Sequence, residues 1–118
     1  MNVTREQGLL AWQWSTYPKA HRDRRNLVVH VVTEPLFVLG TCAIPLALVF
    51  GTWWLAALGI GAMLAVMALQ GRAHKLEKTE PPAFRGPLDV LVRLLVEQWV
   101  TFPRYVLSGE FARAWRNG

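Results

Sequence analysis

Charge is nearly missing from the middle of this 118-residue chain: between His30 and Arg72 the only charged side chain is Glu34. A soluble domain interleaves charges with apolar residues at the period of its helices or strands, so this stretch has no face suited to water. Cysteine is scarce as well. Cys42 stands alone, which excludes an internal disulfide framework and a cysteine-ligated metal cluster. No Gly-rich phosphate loop and no nucleophile elbow is present, which removes nucleotide cradling and serine-hydrolase chemistry. A secretory leader is not evident either. The first long apolar run begins only at Leu27, with no small-residue cleavage site at the right distance, so it is expected to be retained. Asn2-Val3-Thr4 matches a glycosylation triplet but carries no weight, because it falls on the expected cytoplasmic side.

What remains is apolar and helical. Residues 27–49 and 52–71 are each long enough to cross a bilayer core, at about 20 residues and about 1.5 Å per residue. The join at Gly51-Thr52 is so short that the two helices must run antiparallel. Pro35 and Pro45 predict kinks in the first, and small residues from Ala56 to Ala68 let the second approach its partner closely. The 13 lysines and arginines outnumber 8 acids, and all but Arg93 gather in residues 1–26, 72–86 and the tail, while the turn has none. The positive-inside rule therefore puts the N-terminus and the 72–86 loop in the cytoplasm, with Trp53 and Trp54 at the opposite interface. Bases that flank apolar spans serve topology and anionic lipid headgroups, so no nucleic-acid partner is expected. Residues 6–17, ending before Pro18, read as an amphipathic helix, and 88–107 as a largely apolar last helix that Pro103 kinks or ends. In that helix Asp89, Arg93 and Glu97 share a face. The fold class is thus all-α: a small polytopic membrane bundle, residues 1–118 forming one domain. Self-association into a homo-oligomer stays open.

Three histidines carry the chemistry. His30 lies about 21 residues before the turn and His74 about 23 after it, so folding the hairpin brings both imidazoles to one membrane boundary, within roughly one helical turn (about 5 Å) of axial level. Asn26 is the expected N-cap of the first span. His21 is nine residues before His30 and would face the other way on a continuous helix. A break between Asp23 and Asn26 would let it join. Three imidazoles suit iron(II), zinc or another divalent ion, with positions left for substrate. Glu77 is a fourth ligand or an acceptor for an imidazole N–H, and Glu34 would orient His30 or pair with an arginine such as Arg93.

His21-Arg-Asp-Arg-Arg-Asn26-Leu-Val-Val-His30 with Pro35-Leu36, and Gln70-Gly71-Arg72-Ala73-His74-Lys-Leu-Glu77 with Pro82-Ala83, resemble the two signatures of a family of small membrane proteins. That family was long known only as a domain of unknown function. Its fungal member is an iron(II)-dependent dioxygenase that shortens 2-hydroxy fatty acids by one carbon. The resemblance runs from Tyr17 to about Trp115. It implies His21, His30 and His74 as iron ligands, Asn26 as the family's asparagine, and a 2-hydroxy fatty acid with dioxygen as substrates. Three positions depart from the pattern: Ala73 replaces a glycine, Glu77 is one residue closer to His74, and Glu34 replaces an apolar residue. Arg72, Lys75 or Arg25 would steer the substrate carboxylate. The expected setting is a bacterial inner membrane. The competing reading is a non-catalytic membrane protein that binds metal or haem, or serves as an interaction subunit.

Overall fold

Helices α2 (Arg24–Phe50) and α3 (Trp53–Ala73) form an antiparallel hairpin that the rest of the chain braces at one end. The computed structural model describes residues 3–118, so Asn2, the acceptor of the glycosylation triplet, lies outside it. The Asp23 carboxylate caps α2 by accepting the Arg25 amide at 2.8 Å, so the cap lies three residues before the expected one at Asn26. Asn26 sits inside the first turn, wholly buried. Gly51 ends α2 in the left-handed region (φ 64°), where a side chain would be strained, and the Thr52 amide closes the turn on the Ala47 carbonyl.

The hairpin is tightest at Gly40 and Gly59. A Cβ at Gly40 would lie 2.7 Å from the Gly59 carbonyl oxygen, and one at Gly59 would lie 2.5 Å from that of Gly40. Outward, the pair is bare hydrocarbon: Leu39, Leu48, Val49, Trp53 and Leu58 are all more than 60% exposed. Both helices are long and apolar enough to cross a membrane, and only 28% and 17% of their apolar windows are buried. Core helices of a soluble protein bury that face, whereas these leave it for another solvent.

The last helix begins at Pro87 and changes pitch. Regular α4 (Pro87–Val96) widens into a π-helical turn, Glu97–Thr101, before α5 (Phe102–Leu107). Pro103 has no N–H for the carbonyl one turn earlier, and the widened turn is the local accommodation. Gly109 (φ 89°) then reverses the chain into α6 (Glu110–Asn117), which returns to the start of α2, where Arg24 Nε donates to the Trp115 carbonyl at 2.6 Å. At the N-terminus, residues 6–17 do not form one helix. Gly8 (φ 139°) separates a short turn, Arg5–Gln7, from α1 (Leu9–Thr16), and a second turn, Tyr17–Ala20, carries Pro18.

The braced end buries polar side chains. Gln70 on α3 and Gln98 on the last helix exchange amide hydrogen bonds at 2.8 and 3.3 Å, and Gln70 also donates to Thr33 at 2.9 Å. Gln13 of α1 donates to the Arg93 carbonyl at 3.0 Å and accepts from Thr101. An aromatic cluster of Tyr17, Phe102 and Tyr105, with Leu27, closes the bundle beside them.

Candidate metal centre

His21 owes its position to the break in the chain. The turn Tyr17–Ala20 ends on His21 at φ −136°, ψ 67°, and helix resumes only at Arg24. The break therefore lies at 21–23, not 23–26, and it folds His21 back over His30. His30 stands in the second turn of α2 and His74 at the end of α3. The three ring centroids are 4.7, 4.7 and 5.0 Å apart. His21 and His30 are buried, His74 partly so.

Hydrogen bonds to backbone carbonyls set two of the tautomers. His21 Nδ1 lies 2.8 Å from the Tyr17 carbonyl oxygen and His30 Nδ1 lies 3.0 Å from that of Asn26. A carbonyl only accepts, so each Nδ1 carries the proton and each Nε2 presents a lone pair. The two Nε2 atoms face one another at 3.3 Å. Glu97 Oε2 lies 3.7 Å from the first and 3.5 Å from the second. His74 completes the quartet, its Nδ1 buried without a hydrogen-bond partner. One donor atom from each of the four side chains lies within 4.8 Å of all the others.

So many lone pairs in a buried space require positive charge between them. A proton shared with the carboxylate is one source. Burial alone would raise the Glu97 carboxyl, but hydrogen bonding with His21 and His30 holds it well below the usual carboxylate range. Burial of His21 works against that proton by lowering its imidazole. A divalent cation satisfies all four donors at once, and three imidazoles with one carboxylate are a donor set suited to iron(II), zinc or manganese. The residues present fit such an ion.

Tyr17 fixes two of the four. Its ring stacks on His21 at 3.7 Å, its carbonyl accepts from Nδ1, and its hydroxyl donates to Glu97 Oε2 at 2.9 Å. The Tyr105 hydroxyl donates to the His21 carbonyl at 2.9 Å. Burial, with the neighbouring Glu97 carboxylate, pushes the Tyr17 phenol well above its ordinary value, so it stays a donor.

Glu77 stands elsewhere. The chain leaves the helix at this residue, and its carboxylate accepts the amides of Arg22 and Asp23 and, at 2.7 Å, the side-chain amide of Asn26. It ties the break at 21–23 to the end of α3 and is not among the four metal-capable side chains. Asn26 orients Glu77 and, through its carbonyl, His30. Glu34 does not orient His30 and does not meet Arg93, whose guanidinium donates to the Pro82 and Ala83 carbonyls. Glu97 was read from sequence only as part of an acidic and basic face. The signal that could have found it is an acid buried deep within a largely apolar helix.

A cavity of about 410 Å³ opens beside the quartet, bounded by Tyr17, His21, His74 and Glu97 on one side and by Met67, Leu94 and the Pro81–Phe84 segment on the other. Lys75 and Arg93 are the cations on its wall. Arg25 instead pairs with Asp23 at 2.9 Å, and Arg72 is not on that wall.

A family model described as "2-hydroxy-palmitic acid dioxygenase Mpo1-like" matches residues 9–104, a span that contains all four residues of the quartet. No curated protein and no solved structure gives a significant match.

Proposed function

The chain belongs to the 2-hydroxy-palmitic acid dioxygenase Mpo1-like family, and we propose on that basis that it is a membrane-embedded, iron(II)-dependent dioxygenase. It converts a 2-hydroxy fatty acid to the acid one carbon shorter. The observation that carries this reading is the convergence of His21, His30, His74 and Glu97 beside a cavity large enough for a substrate head group.

The stoichiometry needs no further reductant. A 2-hydroxy acid plus dioxygen gives the shortened acid, carbon dioxide and water. The four electrons released in breaking the C1–C2 bond and oxidising C2 are those that reduce dioxygen fully. Bound iron(II), held by His21, His30, His74 and Glu97, would supply the activation of dioxygen beside the substrate head group.

The protein's own residues do the rest. The Tyr17 and Asn26 carbonyls keep His21 and His30 in the tautomer whose Nε2 can ligate. Tyr17 holds the Glu97 carboxylate against the same point. The Phe102 ring packs 5.8 Å from that of His30 and belongs, with Leu27, to the buried cluster around Tyr17, an apolar backing that would limit water at the site. The location follows from chemistry: a substrate with a polar head and a long acyl chain partitions to the bilayer boundary, where the hairpin ends carry the site. The exposed apolar faces of α2 and α3 support insertion in a membrane.

Metal analysis with histidine variants tests the proposal. Purified protein should hold close to one iron per chain. His30→Ala and His74→Ala should each lose the metal and all oxygen uptake driven by 2-hydroxypalmitate. Full iron occupancy in both variants, or wild-type uptake in either, would overturn it.

A further inference from the structure

Arg93 is buried to 6% exposure, yet no carboxylate is dedicated to it. Its terminal nitrogens donate to the Ala83 and Pro82 carbonyls, each at 2.9 Å, and its Nε is buried with no partner. The nearest acid outside the metal quartet, Asp89, lies 3.7 Å away and is already engaged by the Arg5 guanidinium and the Arg85 amide. Glu97, one turn further along, is turned to the histidines. The guanidinium is held flat by the rings of Trp12 and Phe84, with its carbon 5.0 and 4.2 Å from their centroids. A fixed, buried cation whose neighbouring carboxylate, Asp89, is shared with Arg5 is incompletely neutralised, and an arriving anion would complete its pairing. Arg93 forms part of the wall of the cavity that reaches His21, His74 and Glu97.

We infer that Arg93 is the residue that recognises the substrate carboxylate, so that the site selects a free 2-hydroxy acid over the same chain with a neutral head. The inference rests on the dioxygenase reading for the identity of the ligand. The carboxylate would meet the Arg93 guanidinium within the cavity that also reaches the quartet, with the acyl chain running past Met67 and Leu94 toward the exposed face of the bundle. Lys75, exposed at the rim, attracts the anion but does not fix it. The rigid stacking of Arg93 means little side-chain freedom is lost on binding, which is the advantage of an arginine fork over a lysine.

The test measures binding, not turnover. Iron-loaded protein in lipid nanodiscs, kept free of dioxygen, is titrated with 2-hydroxyhexadecanoate and with hexadecane-1,2-diol, and the ratio of the two dissociation constants is taken. The metal's own preference for a carboxylate is common to wild type and variant and cancels in the comparison. Arg93→Gln should reduce the acid-to-diol preference by about tenfold to a hundredfold, the loss expected for a charge-assisted hydrogen bond, with diol affinity little changed. Arg93→Lys keeps the charge without the fork and should fall partway. It decides the matter if Arg93→Gln does not fold. A ratio within about twofold of wild type in the variants that fold, or equal weakening of both ligands, would overturn the inference. Acid binding that depends on Arg93 without any turnover in air would instead contradict the dioxygenase reading and leave this one standing.

Discussion

Replacing Glu97 with glutamine removes one negative charge from the centre of the quartet while preserving size and an acceptor for the Tyr17 hydroxyl. The carboxylate oxygen sits 3.5 to 3.7 Å from two imidazole nitrogens, so an ion held among them lies well inside 4 Å of that charge. At 4 Å and an effective dielectric of about 20, a unit charge pair is worth about 4 kcal/mol. A divalent cation doubles the attraction, and the cost of stripping water from ion and carboxylate offsets a large part of it. The remainder corresponds to about two to three orders of magnitude in metal affinity. Competition against a chelator of known affinity measures this directly, with circular dichroism to show that the helices persist. Glu97→Asp, which keeps the charge but shortens the reach, should fall between glutamine and wild type. If Glu97→Gln binds iron within about threefold of wild type, the carboxylate is only a proton-sharing partner of the histidines.

Glu77→Gln should weaken metal binding less, by about 10- to 100-fold, because it acts through the backbone of residues 22 and 23 and through Asn26; a loss matching that of Glu97→Gln would contradict the separation of their roles. Tyr17→Phe should lower metal affinity about tenfold while leaving the stacked ring in place, and an unchanged chelator titration would refute its part in holding Glu97. Gly59→Val should destabilise the hairpin by about 2 kcal/mol or more, since its side chain meets the Gly40 backbone, whereas Gly61→Ala, with open space around it, should be nearly silent in thermal unfolding. In a Cys42→Ser background, cysteine at Thr52 should be labelled from outside intact cells and cysteine at Lys78 should not; the reverse pattern would invert the topology.

The hairpin was legible because two facts suffice for it: apolar length and a turn too short for anything but antiparallel packing. His30 and His74 met for the same reason, since axial level is arithmetic once the turn is placed. Asn26 was harder. Both Asp23 and Asn26 are good caps, and only the third dimension shows that the Asp23 carboxylate accepts the Arg25 amide while Asn26, already inside the helix, uses its side-chain amide to donate to Glu77 and the Ala20 carbonyl. Glu77 looked like a partner of His74 on spacing alone. Glu77 does stand one tight helical turn past His74, its amide donating to the His74 carbonyl, but the amides of Arg22 and Asp23 and the side chain of Asn26 claim its carboxylate. Glu97 was hidden by its neighbours: with Asp89 and Arg93 four residues apart it resembled an ordinary surface face. The widened turn that starts at Glu97 and the burial of the helix around it turn that face inward.

The central claim is oxidative loss of one carbon at the quartet. Iron-loaded protein in nanodiscs, supplied with 2-hydroxyhexadecanoate labelled with carbon-13 at C1, should consume one dioxygen per acid and yield pentadecanoate and labelled carbon dioxide in equal amounts, with Glu97→Gln inactive in the same assay. Fully iron-loaded protein that binds the acid yet releases no labelled carbon dioxide and no pentadecanoate would contradict it.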